Sequence, residues 1–511
     1  MKKIVCALLA LCMAIALTSC DKQKFQEEQY VVEKESVLAN KPEVNRIIIP
    51  IGENSYYYNN ETFSGADSYI AEDTSFAKAD MFTGKLGIDF GNNKGISPDA
   101  SGYVDIEKMC AAFGLDYMYN AVKNTAIITK RECAPTEIDE SLIAKAKQTV
   151  LEKTLKIDEH CGYSFPEGSV YGVYEPKNEP GWVGGFYSGL NYRCENWSDN
   201  QIYKDTVENT RKELEDAVNK NDQTFTHDIG FTIYLSSYQE YLKNKDENAA
   251  QMTVKAADAL LKRVKQNGGY IQAWGSLKQR TDGKKSDNDT RMIADTMCNL
   301  PVMFAASEIT GDSKYKDAAV NHARLTQKFI MRKDATISHT FVFNDEGTGG
   351  VERTHQGAAD DSCWARGTAW IILGMSQAYD ATGDISFLNS AKELCDTYIL
   401  RSEDDLIPRW DFIYQNNTKE PMDSSAASIA ACGFYNIYQA TGETFYKDAA
   451  YYIFESLYKN YSSRNDENSS GILYHATGHK PGNKNIDVCL IYGDYYFGEL
   501  LARFGGENVG Y

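Results

Sequence analysis

A turn signal that recurs three times between long amphipathic segments constrains the fold more than any other feature of the sequence. Its copies read Thr-Gly-Asp at Thr310 and Thr382 and Thr-Gly-Glu at Thr441. Each copy has an aromatic residue five positions after the threonine and an alanine nine positions after it. Glycine is the usual residue at a left-handed helix end, and an acidic residue suits the start of the next helix. The repeat therefore predicts a series of helical hairpins.

The helical pattern extends over residues 133–511, with few alternating strand-like stretches. About six hairpins of this length can close into a ring, so we predict an all-α (α/α)6 toroid whose inner helices face a central cavity. An irregular helical solenoid is the alternative.

Residues 43–132 instead contain short apolar runs separated by Gly, Asn and Asp turns, which predicts a small α+β domain. Its last part, residues 102–130, resembles the end of the copper amine oxidase N-terminal-like stalk domain. Such modules are spacers, and no copper ligands accompany the resemblance here.

The first residues have the pattern of an export signal. Two lysines precede an apolar run from Ile4 to Leu17, and the run leads to Cys20 in an arrangement that resembles a lipobox. We predict a lipoprotein signal peptide at 1–19, lipidation of Cys20 and a polar tether at 20–42. The protein would be an exported, membrane-anchored bacterial lipoprotein, facing the periplasm or the cell surface. A plain cleaved signal is the alternative.

Charge and cysteine content exclude several classes of partner. The chain of 511 residues has 53 Lys and Arg against 72 Asp and Glu, a formal charge of −19, which disfavours nucleic acid. Membrane contact is expected only through the lipid anchor. The nine cysteines after Cys20 are scattered and odd in number, and no zinc motif is present. We therefore predict no disulfide framework, no metal and no cofactor.

Two aspartates are candidate catalytic groups. Asp295 lies in an apolar stretch that we expect to be one helix, where it shares a face with Asn299 opposite an apolar stripe. A carboxyl group on the cavity side would have a raised pKa, as a general acid requires. A hydrogen-bonded packing acid is the alternative. Asp228 precedes an apolar run, and this stretch alone favours a helix N-cap over a catalytic group.

A second set of residues has the chemistry of a sugar site. Tryptophan offers a flat face to a pyranose ring, and arginine offers a fork to a carboxylate or sulfate. The candidates are Trp274, His339, Gln356, Trp364, Arg366 and Trp370. His475, His479 and Lys480 form a local basic patch that could contact a sulfate or carboxylate, with a solvated loop as the alternative.

Together these stretches resemble glycoside hydrolase family 88, the unsaturated glucuronyl hydrolases. The similar motifs are HDIGF at 227–231, IADTMCNLP at 293–301, ASEITGD at 306–312, DSCWARGTAW at 361–370, WDF at 410–412, DSSAASIAAC at 423–432 and YGDYYF at 492–497. They occur in the family's order. The sister family of unsaturated rhamnogalacturonyl hydrolases shares the toroid but has less similar flanking motifs.

The resemblance implies that Asp295 is the catalytic acid and base, that Asp228 holds the sugar, and that Gln356, Trp364, Arg366, His339 and Trp274 surround the substrate. The substrate would be an unsaturated oligosaccharide left by a polysaccharide lyase, and the reaction would add water to the C4=C5 double bond without metal. A non-catalytic glycan-binding lipoprotein and a lyase are competing interpretations. The sequence leaves linkage, sulfation and oligomeric state open.

Overall fold

The computed structural model describes residues 34–92, 95–220, 226–275, 277 and 286–510. The predicted signal peptide at 1–19, the lipidation site at Cys20 and much of the predicted tether therefore lie outside the described residues. Within the described ranges, no helix is long and apolar enough to cross a membrane.

Residues 34–92 and 95–132 contain two antiparallel sheets, two α-helices and a short 3-10 helix at Phe90–Asn92. One sheet has the order β3-β2-β1-β8-β7 and the other the order β4-β5-β6. The strands are β1 (Glu43–Pro50), β2 (Ser55–Tyr58), β3 (Glu61–Ser64), β4 (Ser68–Ala71), β5 (Thr74–Lys78), β6 (Tyr103–Asp105), β7 (Asp116–Asn120) and β8 (Thr125–Glu132). The helices are α1 (Ala79–Leu86) and α2 (Ile106–Phe113).

The central strand β1 is apolar on both faces because both faces are covered. Ile47 and Ile49 lie in the core of the N-terminal part, whereas Ile48 packs with Ile127 and with Ala335 from the helical region. A strand buried on both sides lacks the polar alternation of a solvated one, which explains the consecutive isoleucines.

The helical region is an (α/α)6 toroid, as the sequence predicted. The inner ring consists of α4 (Gly184–Trp197), α6 (Ile229–Tyr234) continued by α7 (Ser237–Asn244), α9 (Pro301–Thr310), α11 (Ala365–Thr382), α13 (Ser424–Thr441) and α15 (Ile491–Phe504). The outer ring consists of α3 (Glu140–Cys161), α5 (Gln201–Lys220), α8 (Glu247–Lys262), α10 (Ser313–Leu325), α12 (Ile385–Arg401) and α14 (Thr444–Asn460). Contact between α15 and α4 closes the inner ring.

Short strands and turns complete the toroid between the helices. The strands are β9 (Ser169–Val170), β10 (Val173–Tyr174), β11 (Arg291–Ile293), β12 (Thr340–Phe343) and β13 (Gly350–Arg353). The last three form one antiparallel sheet in the order β11-β12-β13.

The recurring Thr-Gly-Asp/Glu signal ends three inner helices, which confirms the predicted hairpins. Gly311, Gly383 and Gly442 have φ values of 72°, 70° and 72°, and each donates its N–H to a carbonyl in the preceding turn. The aromatic and alanine residues that follow are buried in the contacts between the two rings: Tyr315, Phe387, Tyr446, Ala319, Ala391 and Ala450.

The N-terminal sheet docks onto the outer helix α12. Arg131 donates from Nε and Nη2 to the two carboxylate oxygens of Asp396, at 2.7 Å each. Arg46 donates to the carbonyl of Glu393 at 2.8 Å. The described start of the chain also lies on the toroid, where Glu455 accepts from the backbone N–H of Leu38 and Ala39.

Candidate active site

The N-terminal ends of the inner helices surround a cavity of about 210 Å³. Trp182 and Asp228 precede α4 and α6, Arg366 is the second residue of α11, and Tyr492 is the second residue of α15. Because unpaired N–H groups at helix starts favour negative charge, this end of the ring suits an anionic ligand despite the acidic composition of the chain.

Asp295 lies on this cavity, but not on the single helix expected from the sequence. Its surroundings are β11, a 3-10 turn at Ala294–Asn299 and then α9, which starts at Pro301. Proline lacks an N–H and suits the first turn of an α-helix, and Leu300 before it is already helical, with φ −65° and ψ −30°, so the 3-10 turn that holds Asp295 runs directly into α9. Asn299 does not share the cavity face, because its Oδ1 accepts from the N–H of Phe231 on α6 at 2.8 Å.

Oδ2 of Asp295 is buried and accepts no hydrogen bond from the described residues. Its side chain is 13% exposed. Burial and the nearby negative charge of Asp228 raise the pKa of Asp295 to about 7, although Arg366 opposes the rise. Near neutral pH a large fraction of Asp295 therefore carries a proton that it can donate.

Asp228 occupies the N-cap position of α6, yet its side chain makes no capping hydrogen bond. Oδ2 accepts from the hydroxyl of Thr226 at 3.1 Å, and Oδ1 lies 3.3 Å from Nε2 of His227. Burial raises the pKa of Asp228 to about 7, while Thr226 and the charge of Arg263 lower it. The side chain faces the cavity, so the N-cap interpretation does not account for it.

His339 lies behind Asp295 in a defined tautomer. Its Nδ1 accepts from the backbone N–H of His355 and of Gln356, at 3.0 Å each. Burial lowers the pKa of His339 well below its usual value, so the ring is neutral and its proton is on Nε2. That Nε2 is 3.8 Å from Oδ2 of Asp295. Pairing of β11 with β12 produces this arrangement.

Arg366 and Gln356, two of the predicted substrate-binding residues, both line the cavity. The guanidinium of Arg366 is already engaged, because it donates to Asp423 at 2.6 Å and to the carbonyls of Thr477 and Gly478. Gln356 donates to the same Gly478 carbonyl at 3.2 Å. Arg366 thus contributes positive charge and a fixed part of the cavity wall. The sequence led us to expect its N–H groups to be free for a ligand carboxylate, but protein groups accept from them.

The three candidate tryptophans have different positions. Trp274 lines the cavity and packs edge-on against His355, with ring centroids 4.9 Å apart. Trp364 is buried behind the wall, 4.5 Å from the ring of His339. Trp370 is wholly buried and packs 5.0 Å from Phe231. Of these three, only Trp274 lines the cavity in the described structure. Trp364, which directly precedes α11, and Trp370, which lies on α11, are buried in the core instead.

Several cavity residues were not singled out as site residues from the sequence. They include Glu167, His227, His355, Lys484, Asn485 and Tyr492. His355 directly precedes Gln356 in the sequence and could have been found by that proximity. Glu167 is distant from the other site residues in sequence, and the closing of the helical ring brings it to the cavity. Lys484 pairs with Glu167 at 2.6 Å. Of the predicted basic patch, His479 lines the cavity, and Lys480 and His475 do not.

No group of three or more His, Cys, Asp or Glu side chains close enough to hold a metal ion occurs within the described ranges. The cysteines there are all free.

Comparison with known proteins matches this architecture to one family. The sequence profile described as Glycosyl Hydrolase Family 88 matches residues 156–496. An unsaturated chondroitin disaccharide hydrolase from Streptococcus pneumoniae is 34% identical over 352 residues, which cover 66% of this chain and 86% of the relative. An unsaturated glucuronyl hydrolase from Bacillus sp. strain GL1 is 32% identical over 336 residues, which cover 65% of this chain and 88% of the relative.

Solved structures show the same similarity. The crystal structure of an unsaturated glucuronyl hydrolase from Streptococcus agalactiae superposes with a TM-score of 0.69 at 28% identity. The match covers 74% of this chain and 95% of that one. The superposed region therefore includes nearly all of the S. agalactiae enzyme.

Proposed function

The chain belongs to glycosyl hydrolase family 88, and from this we infer that it is a glycoside hydrolase that acts on unsaturated oligosaccharides released by polysaccharide lyases. It hydrates the C4=C5 double bond of the unsaturated uronate at the non-reducing end and so releases that sugar from the next one. The observation that carries this conclusion is Asp295, a buried, cavity-facing carboxyl with a pKa raised to about 7.

The chemistry needs one group that first gives and later accepts a proton. We propose that Asp295 protonates C4, which leaves a cation at C5 shared with the ring oxygen. The resulting carboxylate then takes a proton from water as the water oxygen bonds to C5. The hemiketal opens by breaking the bond between C5 and the ring oxygen, and the hemiacetal left at C1 breaks down to an aldehyde and the released sugar. Paired carboxylates acting at the anomeric carbon, as in most glycosidases, are not required.

Other cavity groups support this proton transfer. The Nε2–H of His339 faces Oδ2 of Asp295 and can stabilise the carboxylate that forms. Asp228, in its ionised form, can accept hydrogen bonds from sugar hydroxyls. Trp274 and Trp182 offer aromatic surface to the ring, and the charge of Arg366 favours the substrate carboxylate.

The direction of an absorbance change tests this function. The conjugated double bond of an unsaturated disaccharide absorbs ultraviolet light, and hydration removes it. We expect the purified protein to lower the absorbance of a preformed unsaturated chondroitin disaccharide. A rise on intact polysaccharide would indicate a lyase, and no change on a panel of unsaturated disaccharides would indicate a glycan-binding protein.

We also propose that the protein is exported and anchored by a lipid on Cys20. The charged start, the apolar run and the position of Cys20 support this proposal. Replacement of Cys20 by Ser should move the protein from the membrane fraction to the soluble fraction. Wild-type protein already in the soluble fraction would contradict it.

A further inference from the structure

A buried arginine lies directly behind the cavity wall. Arg263 follows α8 and is 4% exposed. Its Nε donates to the carbonyl of Gln272 at 2.8 Å, and its Nη2 donates to the carbonyls of Ala273, Trp274 and Gly275, the last two at 2.9 and 3.2 Å. No carboxylate of the described chain forms an ion pair with it within 4.0 Å. Among the described residues, the acceptors of its hydrogen bonds are therefore all carbonyl groups.

These four carbonyls belong to the segment that carries Trp274. Among the described residues, the backbone N–H groups of this segment bond at Gln272, to the carbonyl of Arg263, and at Ala273, to the carbonyl of Arg291. The side-chain amide of Gln272 also donates to the carbonyl of Trp274 at 3.0 Å, so Arg263 is the main donor to the other three carbonyls. Without the guanidinium, the buried carbonyls of Gln272 and Ala273 would lose this donor, which is costly in a dry interior. The position of Trp274 on the cavity wall thus depends on Arg263.

The same cation acts on Asp228. Burial lowers the pKa of Arg263 to about 10, so the side chain stays charged near neutral pH. Its charge favours the ionised form of Asp228 and the neutral form of His227. The other titratable or charged groups that face Asp228 across the cavity are Asp295, Glu167, His355, Arg366, His479, Lys484 and Tyr492.

We propose that Arg263 is a positioning residue of this hydrolase, which fixes Trp274 against the sugar and places a positive charge behind the cavity wall that Trp274 and Asp228 share. The proposal rests on the proposed function. It assigns two separable roles to one side chain, a geometric role and an electrostatic role.

Two substitutions separate these roles. Arg263→Lys keeps the charge but replaces the planar fork by a single ammonium, which cannot serve four carbonyls at once. Arg263→Met removes both the charge and the donors. Arg193, which is also buried but outside the cavity lining, provides a matched control as Arg193→Lys.

The measurements are KM, kcat and their pH profiles on an unsaturated chondroitin disaccharide, together with hydrogen exchange of residues 272–275. For both Arg263 variants we expect KM to rise about tenfold and exchange in this segment to accelerate. In Arg263→Met alone, the acidic limb of kcat/KM should move to higher pH by about half a unit or more, because Asp228 loses its cation. Arg193→Lys should change stability without either effect.

The two ways of failing are distinguishable. If the wild-type protein does not turn over the disaccharide, the proposed function is wrong, and exchange at 272–275 still decides the geometric role. If the wild-type protein is active, the geometric role is tested on Arg263→Lys. A KM and an exchange rate equal to those of the wild-type protein would overturn that role, whether or not Arg263→Met folds. An equal shift of the acidic limb in both variants, or none in folded Arg263→Met, overturns the electrostatic role.

Discussion

Asp228 and Asp295 are the two carboxyl groups on which the proposed chemistry depends, and their ionisation is linked. Burial raises the pKa of each to about 7, and negative Asp228 adds to the rise at Asp295. Interacting acids titrate as a pair, so near neutral pH the two groups hold about one proton between them. The proposed mechanism assigns that proton to Asp295. Thr226 and Arg263 favour ionised Asp228, although Arg366 works against a protonated Asp295.

This linkage predicts the effect of Asp228→Asn on the pH profile. The substitution removes the negative charge that raises the pKa of Asp295. Because an acid must be protonated to donate, activity is lost as pH rises through that pKa, and the alkaline limb of kcat/KM should move to lower pH. The maximal rate should also fall about tenfold or more. Asparagine can still accept from Thr226, so the melting temperature should change little. An alkaline limb that stays in place would contradict the coupling.

The helical elements were predictable from the sequence because their end signals are local. The Thr-Gly-Asp/Glu turns determine where three hairpins form, and the structure places them as expected. Local patterns could not predict the turn around Asp295, because the pairing of β11 with β12, 47 positions apart at Ile293 and Thr340, determines its conformation. For the same reason, the sequence identified Trp370 and Trp364 as aromatic candidates but could not show that both are buried, one on α11 and one directly before it.

The helix-end role of Gly383 predicts a backbone effect on stability. Its φ is 70°, and a Cβ at this position would meet nothing within 4 Å. Gly383→Ala should therefore lower the free energy of unfolding by about 1 kcal/mol through left-handed strain rather than through a clash. Gly383→Asn is the matched control, because asparagine tolerates this conformation and should cost less. Equal losses in denaturant unfolding would rule out this explanation.

At the scale of the whole molecule, the N-terminal sheet is joined to the toroid by buried charges. Arg131 pairs with fully buried Asp396 on α12 and also with Asp116, whose side chain is 64% exposed. Arg46 is buried in the same contact. A buried pair is weak evidence of net stability, but removal of one partner leaves a charge without compensation. The two parts should therefore unfold together while this contact is intact.

The two partners of Arg131 allow a matched test of the contact. Asp396→Ala should lower the free energy of unfolding by about 3 kcal/mol, because Arg131 and Arg46 remain buried without that carboxylate. Asp116→Ala removes an exposed partner of the same arginine and should cost less than about 1 kcal/mol. Denaturant unfolding followed by circular dichroism gives both values. Similar losses in the two variants would show that the buried pair does not hold the sheet on the toroid.

The turnover of Asp295→Asn tests the central claim most directly. Asparagine preserves the size of the side chain but cannot donate the proton to C4, so the rate on an unsaturated chondroitin disaccharide should fall at least about a hundredfold. Disaccharide binding should survive, and the melting temperature should not fall, since an uncharged amide avoids the cost of burying a carboxylate. A folded Asp295→Asn protein that hydrolyses the disaccharide at close to the wild-type rate would contradict the mechanism.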